Sequence, residues 1–174
     1  MVPDSYLAHI SPDGREQTVE AHLQGTAQLC GGFAAAFGER GRGELIGLAH
    51  DIGKSSEAFQ KRLHGGPKVD HATAGAVECA KIRENAMALC VVGHHGGMPD
   101  FGNPRTDSPG TPTGAGRIKK GSLPGGIPAF HWQGPLPNPG KAPNLDPYVA
   151  AMWTRMLYSC LVDADYLDTE RFMD

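Results

Sequence analysis

Histidine and aspartate recur in five separate helical segments of this chain, and that recurrence constrains the fold more than any other feature. The residues are His22, the pair His50-Asp51, His71, the pair His94-His95, and the late aspartates Asp163 and Asp165. A single histidine on an apolar face is usually a satisfied core residue. Five segments that each deliver such a group into apolar surroundings are hard to explain that way. They predict helices that converge on one point, where imidazole and carboxylate together suit Mn, Fe, Co, Ni or Zn, with carboxylate and water able to admit Mg.

The periodicity agrees with a helical scaffold. In residues 18–37, Val19, Leu23, Thr26, Cys30, Phe33 and Phe37 recur in steps of four and three, and Gly38 is a natural stop. Short helices are expected over 44–51 and 56–63, the second closed by Gly65-Gly66. Residues 70–82 read as a helix with Asp70 as N-cap, and 85–95 as a nearly all-apolar, buried helix ending in His94-His95. A last helix is expected over 147–172, with Pro147 in its first turn. No run shows convincing strand alternation, so the fold class is all-α.

Residues 96–147 differ in kind. They hold 11 glycines and 11 of the chain's 14 prolines, and read as a long insertion without regular structure. Arg105, Arg117, Lys119, Lys120 and Lys141 outnumber Asp100, Asp107 and Asp146 there, while the whole chain carries a net charge of -3. A bulk-basic nucleic-acid binder is therefore not indicated; the stretch reads either as a solvated flexible loop or as a mobile basic flap that touches phosphates beside an otherwise acidic site. The 174 residues suit one domain with a real core. The chain shows no internal repeat, no secretory leader and no apolar run of membrane-spanning length. Cys30, Cys79, Cys90 and Cys160 form no C-x-x-C pair and read as buried reduced thiols in a cytoplasmic protein.

Gly53-Lys54-Ser55 invites a nucleotide-loop reading, which spacing and context reject. Five residues rather than four separate Gly47 from Gly53, and the preceding segment is helical rather than a strand. The metal reading survives. His50 and Asp51 lie about 100° apart on a helix and can flank one site; the two oxygens of Asp51 can bridge two ions.

The order of these residues resembles the HD superfamily of metal-dependent phosphohydrolases. More closely, "HDIGKSSEAFQKRL", "VDHATAGA", "VVGHHGGMPD" and "LVDADYLDTERF" look like the HD nuclease domain of the CRISPR-associated type I effector helicase-nuclease. The resemblance covers roughly 18–172 apart from the insertion, and implies one HD-domain helical bundle over 1–174 with one or two divalent metals (Mn, Ni, Co, Fe or Mg). Carried over, His22, His50, Asp51 and one late aspartate hold the first metal. Asp51 bridges to a second, completed by His71, His94 and His95. Asp163 shares a stripe with Trp153, Met156, Cys160 and Leu167, which favours it as the late ligand. The register of Ala164-Asp165-Tyr166-Leu167 matches the family's last motif and favours Asp165, which is the expectation adopted.

The same resemblance implies cleavage of single-stranded DNA. Paired metals about 4 Å apart can clamp a phosphate and activate a water as nucleophile. Asp51 and Lys54 are then the catalytic groups, Lys54 steadying phosphate charge and Gly53 letting the backbone turn close. Arg105, Arg117, Lys119 and Lys120 are candidate DNA contacts. A superfamily 2 helicase domain or subunit and a CRISPR RNA-guided surveillance complex are the implied partners, with no membrane. His9, His64 and His131 fall outside the motif order and read as non-ligands. Two other classes compete: a small-molecule HD phosphohydrolase (a nucleotidase or cyclic-nucleotide phosphodiesterase), which needs a closed base-reading pocket, and a non-catalytic metal-folded domain, which would favour closed Cys-rich ligation.

Overall fold

A computed structural model describes residues 5–102, 105, 113–120 and 135–174. Seven α-helices are found among them: α1 Val19–Ala34, α2 Arg40–Ala49, α3 Glu57–Leu63, α4 Ala72–Lys81, α5 Asn85–Gly93, α6 Gly114–Lys120 and α7 Pro147–Met173. The helical class expected from periodicity holds.

Helix α1 starts where Thr18 caps it, its hydroxyl accepting from Ala21 N at 3.1 Å. It buries Val19, Leu23, Thr26 and Cys30 of the expected stripe against α2 and α7, whereas Phe33 is exposed and Phe37 falls in the 3-10 turn after the helix. Ser56 caps α3, and Asp146 caps α7 ahead of Pro147. Asp70 accepts from Thr73 N at 3.1 Å and so caps the first turn of α4, although the helix proper begins at Ala72. The core joins Leu45, Ile46 and Ala49 of α2 to Met87, Cys90 and Val91 of α5 and Leu157, Leu161 and Ala164 of α7. Cys30, Cys79 and Cys90 are buried free thiols and Cys160 is half-buried.

Helix α2 runs over Arg40–Ala49 rather than 44–51, so His50 and Asp51 follow the helix instead of lying on it. Two further features depart from the sequence reading. Strands β1 Leu7–Ile10 and β2 Glu16–Thr18 form an antiparallel hairpin, with His9 opposite Gln17. Strands of four and three residues are too short to show alternation, and the turn makes the hairpin. Gly14 takes φ +88° there, and its N–H donates to the Ser11 carbonyl at 2.9 Å. The second departure is α6, which lies inside the stretch expected to be irregular. It is fastened to α4 and α5 by Arg117, which donates to the Val92 carbonyl at 2.9 Å, to Thr73 Oγ1 at 3.0 Å and to Asp70 Oδ2 at 3.3 Å. Still within the 96–147 stretch the chain returns to the core at Leu136, and Arg42 donates to the Gly140 carbonyl at 3.0 Å.

Candidate metal centre

Helix α2 ends at Ala49, and the chain turns through His50 and Asp51 into a 3-10 turn, Ile52–Ser55. This turn lies directly on the start of α4. A Cβ on Gly53 would overlap the His71 carbonyl, so only glycine lets the two backbones approach this closely. The close approach brings Asp51 and His71 to one point.

Asp51 is fully buried and each of its oxygens faces a different set of groups. Oδ2 lies 3.4 Å from Nε2 of His22, 3.4 Å from Nε2 of His50 and 2.8 Å from Lys54 Nζ. Oδ1 lies 3.3 Å from Nε2 of His94, 3.4 Å from that of His71 and 3.8 Å from that of His95. From α7, Asp165 Oδ1 completes the first set, 3.3 Å from His22 Nε2 and 3.4 Å from His50 Nε2. Two groups able to hold an ion result, His22, His50, Asp51, Asp165 and Asp51, His71, His94, His95, with Asp51 common to both.

The proton positions on four of the rings follow from their other partners. Nδ1 of His50, His94 and His71 lies 2.8, 2.7 and 3.2 Å from the carbonyls of Gly47, Val91 and Val69. Nδ1 of His22 lies 2.8 Å from Asp168 Oδ2. A carbonyl or an ionised carboxylate can only accept, so each Nδ1 carries a proton and each Nε2 is the atom turned towards the centre. Asp51 Oδ1 and Oδ2 and His94 Nε2 are buried without a hydrogen-bond partner. Lys54 approaches Oδ2 closely as an ion pair but is not aligned to donate to it. Elsewhere two ring nitrogens meet, His22 with His50 at 3.2 Å and His71 with His95 at 2.7 Å, and such a pair is bonded only if one nitrogen retains a proton. Five imidazoles and two carboxylates converging on one largely buried point could hold a cation, and this donor set fits divalent metal.

Charge follows the same division. Burial opposes a charge on His50, but Asp51 and Asp165 outweigh it and push its pKa up to about 10. Burial also opposes charge on His22, and Asp165, Asp168 and Asp51 raise it on balance. In the second group burial wins: it lowers His71, and with His94 alongside it lowers His95 to about 4. Burial disfavours the Asp51 carboxylate, yet Lys54, His50 and His71 hold it well below the ordinary range. Burial likewise opposes ionisation of Asp165, and His50 and His22 hold it ionised.

His22, His50, Asp51, His71, His94, His95 and Asp165 are thus brought together, while Asp163 is exposed on the opposite side of α7. The stripe that had favoured Asp163 is not the buried one, because Leu157, Leu161 and Ala164 face the core and Met156 is exposed. Lys54 is buried beside Asp51. Arg117 corrects its expected role: its guanidinium is occupied by Val92, Thr73 and Asp70, a structural task rather than a DNA contact. Arg105 and Lys119 are exposed, whereas the Lys120 side chain and His131 lie outside the described residues. His64 is exposed and in neither ligand group. His9 is also in neither, but its ring sits 4.6 Å from that of His22 and its Nε2 lies 2.9 Å from Lys54 Nζ. Asp168 was missed altogether. Its signal was available, since it stands three residues after Asp165 on the same helical face.

A bundle whose helices deliver two histidine–aspartate groups around one shared carboxylate is the architecture of a metal-dependent hydrolase. The family model described as the HD domain matches residues 19–115, more than half of the chain, and the chain belongs to that family. No curated protein matches the chain. The matched span contains His22, His50, Asp51, His71, His94 and His95 but ends before Asp165 and Asp168. Family and site together point to a phosphohydrolase dependent on divalent metal. Among the described residues no helix is long and apolar enough to cross a membrane.

Proposed function

We propose that this chain is a divalent-metal-dependent nuclease that cleaves phosphodiester bonds of single-stranded DNA in CRISPR type I interference. The observation that carries the reading is the double ligand group on Asp51, buried at its base and reaching solvent at His95, whose side chain is 51% exposed. His22, His50, Asp51 and Asp165 would hold one ion, and Asp51, His71, His94 and His95 the other. When bound, such ions supply Lewis-acid charge to a phosphoryl group and acidify water. The chain's own residues set the rest. The Nδ1 bonds orient the imidazoles, the apolar walls from α2 and α5 keep the base of the site dry, and Lys54 adds a fixed positive charge for the phosphate. Arg105 and Lys119, exposed on the insertion, together with Lys120, the next residue in sequence, would contact DNA phosphates. The more specific motifs, "HDIGKSSEAFQKRL" and "LVDADYLDTERF", support this branch of the family over small-molecule enzymes. They also support a superfamily 2 helicase domain or subunit and an RNA-guided complex as partners. Tyr148, Met152 and Met156, exposed one turn apart on α7, offer a protein partner an apolar stripe.

The test is incubation of metal-free protein with circular single-stranded DNA, adding Mn, Co, Ni, Fe, Mg or Zn in turn. The expected result is linearisation and degradation with at least one metal, lost in Asp51→Ala. No cleavage with any metal, alongside hydrolysis of a nucleotide or cyclic nucleotide, would overturn the reading.

A further inference from the structure

The metal centre is bounded on one side by the N-terminal hairpin, which lies before the span matched to the family. Donor and acceptor roles can be followed through it atom by atom. Asp168 Oδ2 accepts from His22 Nδ1 at 2.8 Å and from Gln17 at 2.9 Å. A carboxylate only accepts, so the Gln17 atom facing it is the amide NH2, and Oε1 must face the other way. Oε1 lies 2.8 Å from His9 Nδ1, which therefore carries the proton. This leaves a lone pair on His9 Nε2, 2.9 Å from Lys54 Nζ, an ammonium that only donates. Lys54 in turn lies 2.8 Å from Asp51 Oδ2, and Asp51 lies 3.4 Å from His22 Nε2, so the circuit closes on itself. The His9 ring is held in place between His22 and Phe172, with centroid distances of 4.6 and 6.4 Å.

We propose that Gln17 and His9 are positioning residues that fix the orientation of Lys54 and His22 at the metal centre. The proposal rests on the metal centre and is independent of what the enzyme cleaves. Gln17 bonds to a member of each arm. Its NH2 holds Asp168, which orients His22 as a ligand, and its carbonyl selects the His9 tautomer able to receive Lys54. Without Gln17, His9 is free to protonate Nε2 and present an N–H to the ammonium, which would turn Lys54 away from Asp51.

Two readouts test this without any substrate. In metal-free, full-length protein labelled with 15N-histidine, long-range nitrogen–proton correlation spectra should show His9 protonated at Nδ1. In Gln17→Leu, His9 should shift to the Nε2–H tautomer or to a mixture. Calorimetric Mn2+ affinity at the His22 half of the centre should weaken roughly tenfold to a hundredfold, as for other residues that orient metal ligands. A wild-type His9 protonated at Nε2 overturns the proposal. So does a Gln17→Leu protein whose His9 tautomer or Mn2+ affinity matches wild type. Should that variant fail to fold, Gln17→Glu carries the comparison, since it keeps an acceptor for His9 but cannot donate to Asp168. It should retain the His9 tautomer and lose Mn2+ affinity, and unchanged affinity overturns the proposal.

Discussion

Asp51 is the residue on which both ligand groups depend, and its neighbours show why sequence could identify it. His50-Asp51 stands in a motif whose spacing is visible in one dimension, as do His71 and His94-His95. The choice between Asp163 and Asp165 was less legible, because both lie on a helix with no clean apolar stripe. The structure turns Asp165 towards His22 and His50 and leaves Asp163 in solvent. Asp165→Ala should therefore weaken metal binding by tenfold or more and remove activity, while Asp163→Ala should leave both near wild type. Calorimetric metal titration of the two variants decides, and the reverse pattern would mean α7 is rotated from the orientation described. Proton release gives a second prediction. The His22–His50 pair holds a proton well above the ordinary imidazole range, His50 up to about 10, and must give it up to bind metal. Affinity at this half should rise with pH towards about 10, with about one proton released per ion near pH 7.5. His71 and His95 are lowered, so the other half should show little pH dependence above pH 6.5. Titrations in buffers of different ionisation enthalpy measure the protons released.

At the scale of elements, the helices were legible because their apolar spacing and caps are local signals. Thr18, Ser56 and Asp146 are caps that match the boundaries read from sequence to within a residue or two. The hairpin and α6 were not legible. Strands of three and four residues carry no period, and α6 is a seven-residue helix surrounded by glycine and proline, held by the contacts of one arginine rather than by its own pattern. The turn after Asp51 owes its position to Gly53. Gly53→Ala should place a methyl against the His71 carbonyl and force α4 away from α2. A destabilisation of about 1–3 kcal/mol, read from chemical denaturation, should accompany weaker metal binding at the His71 half. Wild-type stability in that variant would show that the approach of the two backbones is not tight.

Across the whole molecule, five elements distant in sequence meet at one buried carboxylate, and this convergence gives the helical bundle its function. Sequence order exposed the ligands of the matched family span, and Asp168 was within its reach three residues after Asp165, whereas Gln17, which bonds Asp168 from the N-terminal hairpin, could be found only in three dimensions. The proposed function turns on Asp51 being shared by two metal positions. An anomalous difference map from crystals grown with Mn2+ tests it most directly. Two peaks flanking Asp51 are expected, one among His22, His50 and Asp165 and the other among His71, His94 and His95. Ordered density for these side chains with no anomalous peak beside Asp51, at Mn2+ concentrations that support activity, would contradict it.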